Sequence, residues 1–313
     1  MRAAKMGNRQ KLFYTLAFAT AASLACQSGA SAQSTPFVSA HRGGAAYAPE
    51  NTMVAFANAV RLGVDDLEAD MLLTSDGVAV LMHDTTLDRT TDCTGSVANV
   101  TYAELLDCDA AYWFTPGQST TSHDAQSSHP LRGQGVTIPT VQELLDFAAT
   151  LSGPAAPTLT IELKDGSHTA AATLVALIQA SPIQNRIVVQ SFNPTALNYV
   201  QSLDASISTL LLTSFSAGLA LTYARWRGYD YVAPNHTLFD LNASFVSNAQ
   251  QAGKQVVPWT ADQQAAQQDL IDLGVDGVIT NYPGCLLQLE GRLNTSQLGP
   301  AGVDSTQLTL CAD

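Results

Sequence analysis

Short apolar runs alternate with longer stretches whose apolar positions recur at helical spacing along most of this chain. Phe37-Val38-Ser39-Ala40 is such a run, ending at His41-Arg42-Gly43-Gly44 as a buried parallel strand hands over to a loop. Pro49-Glu50-Asn51-Thr52 then opens a helix over about Met53 to Leu62, which stops at Gly63. The same rhythm predicts strands beginning near 37, 65, 158, 187, 208, 231, 255 and 275. Helices are expected between them at Val141 to Leu151, Thr169 to Ala180, Pro194 to Ser202, Ala217 to Arg225, Leu241 to Ala252 and Ala261 to Leu273. Eight strand and helix units in one chain predict a (β/α)8 barrel, with a doubly wound open sheet as the alternative.

One hairpin interrupts this alternation. In the run from Val64 to Leu73, Glu68 and Asp70 are two residues apart, so a strand puts both carboxylates on one face. Thr74-Ser75-Asp76-Gly77 is a turn signal, and Val78 to Met82 returns antiparallel toward His83-Asp84. Paired residue numbers summing to about 152 bring His83 back beside Ala69, between the two acids. Residues 85–138 then break the rhythm with a short helix near Tyr102 to Leu106 and a Ser, Thr, Gly and Gln-rich run, which reads as an insertion or lid.

Composition narrows the setting. Arg2, Lys5, Arg9 and Lys11 precede an apolar run from Leu12 to Ala25 and then Ala30-Ser31-Ala32, the order of a secretory signal peptide; no transmembrane segment is expected. The expected layout is a signal peptide at 1–32, one barrel domain at 33–313 with the insertion at 85–138, and a C-terminal tail at 291–313. Cleavage near Ala32 makes the protein exported, periplasmic or secreted; a lipid anchor on Cys26 is the minor alternative. Cleavage removes those four basic residues and no acid, taking the formal charge from -13 to -17. Such a surface disfavours nucleic acid and anionic membranes. Cys93, Cys108, Cys285 and Cys311 remain, and the local bridges Cys93 to Cys108 and Cys285 to Cys311 together are one of the three pairings that four cysteines allow.

Charged residues are only 13% of the chain, so those at strand ends need a reason. Glu68, Asp70 and Glu162 are hard oxygen donors suited to Ca2+ or Mg2+, and no Cys or His cluster at zinc spacing competes. Arg42 and Lys164 could clamp phosphate oxygens, and His41 and His83 could serve as general base and acid near neutral pH. Phosphodiester cleavage requires these parts. Glu162 with Lys164 also reads as an internal ion pair, and Glu50 as a helix-start residue besides an additional metal or substrate contact. Phe192 and Trp259 are ordinary core residues by type, but their strand-end positions suit a pocket wall.

His41-Arg42-Gly43, Pro49-Glu50-Asn51-Thr52, Glu68-x-Asp70, Asp76-Gly77, His83-Asp84, Ile161-Glu162-Leu163-Lys164, Ser191-Phe192 and Trp259-Thr260, in this order, resemble the glycerophosphodiester phosphodiesterase family. The resemblance spans about residues 37 to 288. It implies a TIM barrel, a divalent cation on Glu68, Asp70 and Glu162, acid/base histidines at His41 and His83, and hydrolysis of small glycerophosphodiesters such as glycerophosphocholine to glycerol 3-phosphate and an alcohol. The chain departs from the family pattern at Asn281, where Asp is usual, and at Asp262, where Asn is usual; both are expected at the rim. Two other readings are a lysophospholipase D-like activity, which an apolar groove in the insertion would favour, and a non-catalytic barrel that binds a phosphorylated polymer.

Overall fold

The computed structural model describes residues 35–119, 121–124, 126–293 and 298–312. The expected signal peptide at 1–32, with Cys26, lies outside them. Eight parallel strands form a nearly closed barrel: β1 (Phe37–Ala40), β2 (Asp66–Leu73), β4 (Thr158–Leu163), β5 (Ile187–Ser191), β6 (Ser208–Thr213), β7 (Tyr231–Pro234), β8 (Gln255–Val256) and β9 (Gly277–Thr280). Their order is β8-β7-β6-β5-β4-β2-β1-β9, and β3 (Ala79–Leu81) pairs antiparallel with β2. Backbone bonds from Asp276 N to Val256 O and from Ile279 N to Pro258 O, both 2.9 Å, span the seam between β8 and β9. The barrel is thereby the architecture, and the open-sheet alternative falls.

The intervening helices are α1 (Met53–Leu62), α2 (Tyr102–Leu105), α3 (Val141–Thr150), α4 (His168–Ala180), α5 (Pro194–Leu203), α6 (Ala217–Arg227), α7 (Ala243–Gln251), α8 (Gln264–Leu273) and α9 (Pro283–Leu289). Expected starts at Leu241 and Ala261 move inward. Asn242 accepts the Phe245 N–H at 3.1 Å and so begins α7 later, while Trp259 pairs with Asn235 and Ala261 N bonds Ile279 O, keeping that stretch along the barrel.

Strand entries repeat one local device, visible as Gly63-Val64-Asp65, Gly228-Tyr229-Asp230 and Gly274-Val275-Asp276. The glycine ends a helix, the next residue is buried, and the aspartate accepts the backbone N–H of a neighbouring strand: Val38 at 2.8 Å, Thr209 at 2.9 Å and Val256 at 2.8 Å.

The period of two sorts each strand into an inner and an outer set. On β2, Leu67, Ala69 and Met71 pack outward in the core shared with the helices, whereas Asp66, Glu68 and Asp70 are buried in the barrel interior. That interior is itself divided. Val188, Leu210, Leu212, Ala233, Val257 and Ile279 form an apolar cluster on one side, and the acids of β2 and β4 occupy the other.

The insertion is less open than its composition predicts. Leu87, Val97, Leu105, Phe114, Leu131 and Ile138 make a small core with Leu72, Val80 and Met82 of the hairpin. Cys93 bonds Cys108 within it, and Cys285 bonds Cys311, so both local pairs are formed. The tail returns onto the barrel, where Tyr47 Oη donates to Leu310 O at 2.6 Å and Ala312 N to Asp262 O at 3.1 Å. Among the described residues, no helix is long and apolar enough to cross a membrane.

Candidate active site

Parallel pairing sets the first feature of the site. β2 and β4 align Asp70 opposite Glu162, and Glu68 lies two residues before Asp70 on the same face. Glu68, Asp70 and Glu162 are all buried, with ligand oxygens within 4.8 Å of one another. Three carboxylates so close repel, and burial removes the water that would screen them. Burial, then repulsion from Asp70, pushes Glu68 well above the ordinary carboxylate range and Glu162 up to about 7. Burial pushes Asp70 up as well, but the charges of Arg42 and Lys164 outweigh it and hold Asp70 ionised.

Those two cations arrive by different routes. Lys164 follows β4 and puts Nζ 3.1 Å from Glu162 Oε1 and 3.4 Å from Asp70 Oδ1. Arg42 follows β1 in a left-handed conformation, φ 54°, that non-glycine residues seldom adopt. Gly43 is also left-handed, φ 82°, and a Cβ there would lie 2.7 Å from that of Ala55. This turn presents Arg42 N to Glu68 Oε2 at 2.7 Å, while the guanidinium reaches Glu50 at 2.9 Å and Asp70 at 3.3 Å. Glu68 Oε1 accepts from Gln190 Nε2 at 2.6 Å. Asn51 exchanges two bonds with Asp70, its Nδ2 donating to Oδ2 at 2.8 Å and its Oδ1 accepting from Asp70 N at 3.1 Å.

The donor set fits a hard divalent cation. Asp70 Oδ1 is buried without an aligned hydrogen bond despite the nearby Lys164, and the excess of clustered acid calls for positive charge. Arg42 Nε is likewise buried without an aligned acceptor, although Asp70 Oδ2 lies 3.3 Å away.

Both histidines line the same small cavity of about 80 Å3 as Arg42, Glu68, Glu162 and Lys164. His41 Nδ1 is 2.7 Å from Asn281 Oδ1. Asn281 Nδ2 donates to Asp262 at 2.8 Å, which leaves the Asn281 oxygen to accept, so His41 carries its proton on Nδ1 and offers Nε2 to the cavity. Burial, reinforced by Arg42, lowers the His41 pKa to about 3. His83 follows β3, as the hairpin register requires: Met71 faces Leu81 and Leu73 faces Ala79. It is half-buried, with Nδ1 2.6 Å from Asp84 Oδ1, and burial lowers its pKa too.

Phe192 and Trp259 form the opposite wall, edge to face with centroids 5.1 Å apart, and Trp259 Nε1 donates to Ala233 O at 2.8 Å. Glu50 stands behind Arg42 rather than among the three acids. It accepts from Arg89 at 2.7 Å through both oxygens, and Arg89 in turn donates to Asp84 at 2.6 Å. A continuous chain of hydrogen bonds and ion pairs therefore joins His83 to Arg42 through Asp84, Arg89 and Glu50.

Every residue expected at the site converges, with Glu50 one layer out. Arg89 and Gln190 are not marked by the sequence, while Asn51, Asp84 and Asp262 stand in it only as parts of motifs, with no role at the site. Asp84 is adjacent to His83 and Asn51 to Glu50, so proximity was a usable signal; Arg89 and Gln190 carry none without the three-dimensional neighbours. Asn281, expected at the rim, instead holds His41, because the end of β9 lies beside the end of β1.

Comparison with known proteins points to one family. The Glycerophosphoryl diester phosphodiesterase family matches residues 41–285. The chain is 30% identical over 255 residues to a glycerophosphodiester phosphodiesterase of Caldanaerobacter subterraneus, covering 80% of this chain and 96% of that one. It is 31% identical over 251 residues to one of Bacillus altitudinis, covering 78% and 94%. Among solved structures, an Oleispira antarctica phosphodiesterase in complex with the product sn-glycerol-3-phosphate superposes with a TM-score of 0.70 at 26% identity, covering 82% of this chain and 97% of that one. A barrel with this site and these matches belongs to the glycerophosphoryl diester phosphodiesterase family.

Proposed function

We propose that the protein hydrolyses glycerophosphodiesters, glycerophosphocholine among them, to sn-glycerol 3-phosphate and an alcohol, with a divalent cation and two histidines. The observation that carries this reading is the meeting of three buried carboxylates, two cations and two imidazoles around one cavity. The product bound to the Oleispira phosphodiesterase supports the same cleavage position. A pure phosphate binder has no use for an acid/base pair, which disfavours the non-catalytic alternative.

Glu68, Asp70 and Glu162 would hold the cation, Ca2+ or Mg2+, whose charge would neutralise that of the phosphoryl oxygens. Arg42 and Lys164 bind the remaining oxygens and fix the phosphorus in the cavity. His41, uncharged with Nε2 free, takes the proton of the attacking water as its oxygen bonds phosphorus. The bond from phosphorus to the alcohol oxygen breaks, and His83 gives that oxygen a proton; Asp84 stabilises the imidazolium that must precede this step. The phosphate stays on glycerol.

Export accords with this role, since two disulfides point to an oxidising compartment and glycerophosphodiesters are small soluble substrates. Purified protein should release sn-glycerol 3-phosphate from glycerophosphocholine, and His41→Ala should lower kcat by roughly 10²–10⁴-fold. Turnover in His41→Ala equal to that of the unaltered protein would remove the acid/base assignment.

A further inference from the structure

We propose that the barrel carries a second ligand site, at the end opposite the catalytic cavity, and that it takes a small organic ammonium ion of choline's size. A cavity of about 240 Å3 lies inside the barrel there. Phe37, Asp66, Thr158, Tyr231 and Gln255 line it, and each is the first residue of its strand, which fixes the amino end of the barrel as its place. Among the described residues, Ile279 is the one that lines both this cavity and the catalytic one. Layers of side chains normally fill the interior of an eight-stranded barrel. Here the filling is thin, because Ser39, Thr160 and Val188 are small for inward positions.

Asp66 gives the occupant its charge. Its carboxylate is buried and accepts from Ser39 Oγ at 2.6 Å, Thr158 Oγ1 at 2.6 Å and Thr160 Oγ1 at 3.0 Å. These neutral donors orient it but supply no opposite charge, and among the described residues Asp66 enters no ion pair. Its neighbour Asp65, also on the cavity wall, is by contrast neutralised by Arg292 at 2.8 Å. A buried carboxylate needs a cation, and for Asp66 it has to come from outside the chain.

The walls decide which cation. Val188, Leu210, Val257 and Ile279 are buried and apolar, and Phe37 and Tyr231 add aromatic rings. Gly277 makes room for one ring: it pairs with Phe37 across β1 and β9, and a Cβ on it would lie 2.4 Å from that ring. A metal ion requires several oxygen ligands, and the hydroxyls here are already spent on Asp66. An alkylammonium ion instead sets its charge against the carboxylate and its methyl groups against rings and aliphatic side chains, the pairing by which aromatic faces hold choline-like cations. The volume falls below the roughly 300–1,000 Å3 of pockets for larger ligands, which limits the ion's size. Thr158 and Gln255 are exposed, so solvent reaches the cavity, and the formal charge of -13 draws cations toward the protein.

Titration calorimetry of the full chain tests this with two probes: choline, and its uncharged analogue in which a tert-butyl group replaces the trimethylammonium. Choline should bind, and the analogue should bind about tenfold more weakly or not at all. Asp66→Asn should weaken choline binding roughly tenfold or more. Tyr231→Leu removes an aromatic face without touching the hydroxyls around Asp66, so it serves even if Asp66→Asn fails to fold; it should weaken binding roughly threefold to thirtyfold. Trp259→Leu, in the catalytic cavity, should retain a choline site of unchanged affinity. Equal binding of the two probes, or no binding of choline, overturns the proposal. So does an affinity that falls in Trp259→Leu but not in Tyr231→Leu, which would put the ion in the catalytic cavity. Binding is read directly, so the result is independent of whether the chain hydrolyses phosphodiesters.

Discussion

Asn281 Oδ1 lies 2.7 Å from His41 Nδ1, and it can accept that proton only because Asp262 engages the amide nitrogen of the same residue. Asn281 and Asp262 are thus in contact with each other, and Asn281 sets the tautomer of a proposed catalytic base. Replacing Asn281 with Leu should lower kcat by about 10–100-fold, the usual size of an effect transmitted by a group behind a functional side chain. KM should change little. A loss confined to KM would place Asn281 in substrate binding instead.

Asp262→Asn frees the Asn281 amide to turn over and should cost less than Asn281→Leu. The exchanged pair Asp262→Asn/Asn281→Asp restores a hydrogen-bonded acceptor facing Nδ1, so it should recover most of the kcat lost in Asp262→Asn. An exchanged pair less active than either single variant would contradict the positioning role.

Glu50 ties acid stability to the site. Burial raises its pKa, but Arg42 and Arg89 overcome this and bring it to about 2 from an ordinary 4.5. The unfolded chain therefore binds this proton more tightly than the folded one. The stabilisation is complete above pH 4.5 and is lost as pH falls toward 2, amounting to roughly 3 kcal/mol. Thermal midpoints measured across this range should fall less steeply in Glu50→Gln; parallel curves would show that Glu50 is not the group responsible.

Gly43 tests the local backbone. Alanine there meets a left-handed φ of 82° and a Cβ 2.7 Å from Ala55, so Gly43→Ala should destabilise by about 1–3 kcal/mol and lower activity by shifting Arg42. Denaturant unfolding and turnover measured side by side check both halves. A stable variant with unimpaired turnover would mean that the turn tolerates a side chain.

The disulfides should be worth about 3 kcal/mol each from the loops they close, spanning 15 and 26 residues. Cys285→Ser/Cys311→Ser should in addition expose the tail to protease, because that bond fastens the segment whose Leu298, Val303 and Leu308 pack against the core. Equal proteolysis rates would assign the docking of the tail to packing alone.

Much of this molecule is legible in its sequence. Alternation of apolar strands and amphipathic helices gave the barrel, since a parallel strand buried on both faces leaves few other readings, and the Thr74 to Gly77 turn correctly returned β3 with His83 behind it. The strand period put Glu68 and Asp70 on one face. What the sequence could not carry was adjacency across distant strands: Glu162 opposite Asp70, Gln190 on Glu68, Asn281 behind His41, and Arg89 joining Glu50 to Asp84. The insertion misled through composition, because its polar run conceals apolar residues spaced widely enough to escape notice yet close enough in space to form a core.

The metal-dependent reaction is tested most directly by stripping the protein with EDTA and following sn-glycerol 3-phosphate release from glycerophosphocholine as Ca2+ or Mg2+ is returned. The unaltered protein should lose activity on stripping and regain it with the cation, while Glu162→Gln, which removes one of the three clustered carboxylates, should regain little at the same concentration. Full activity in EDTA would contradict the account.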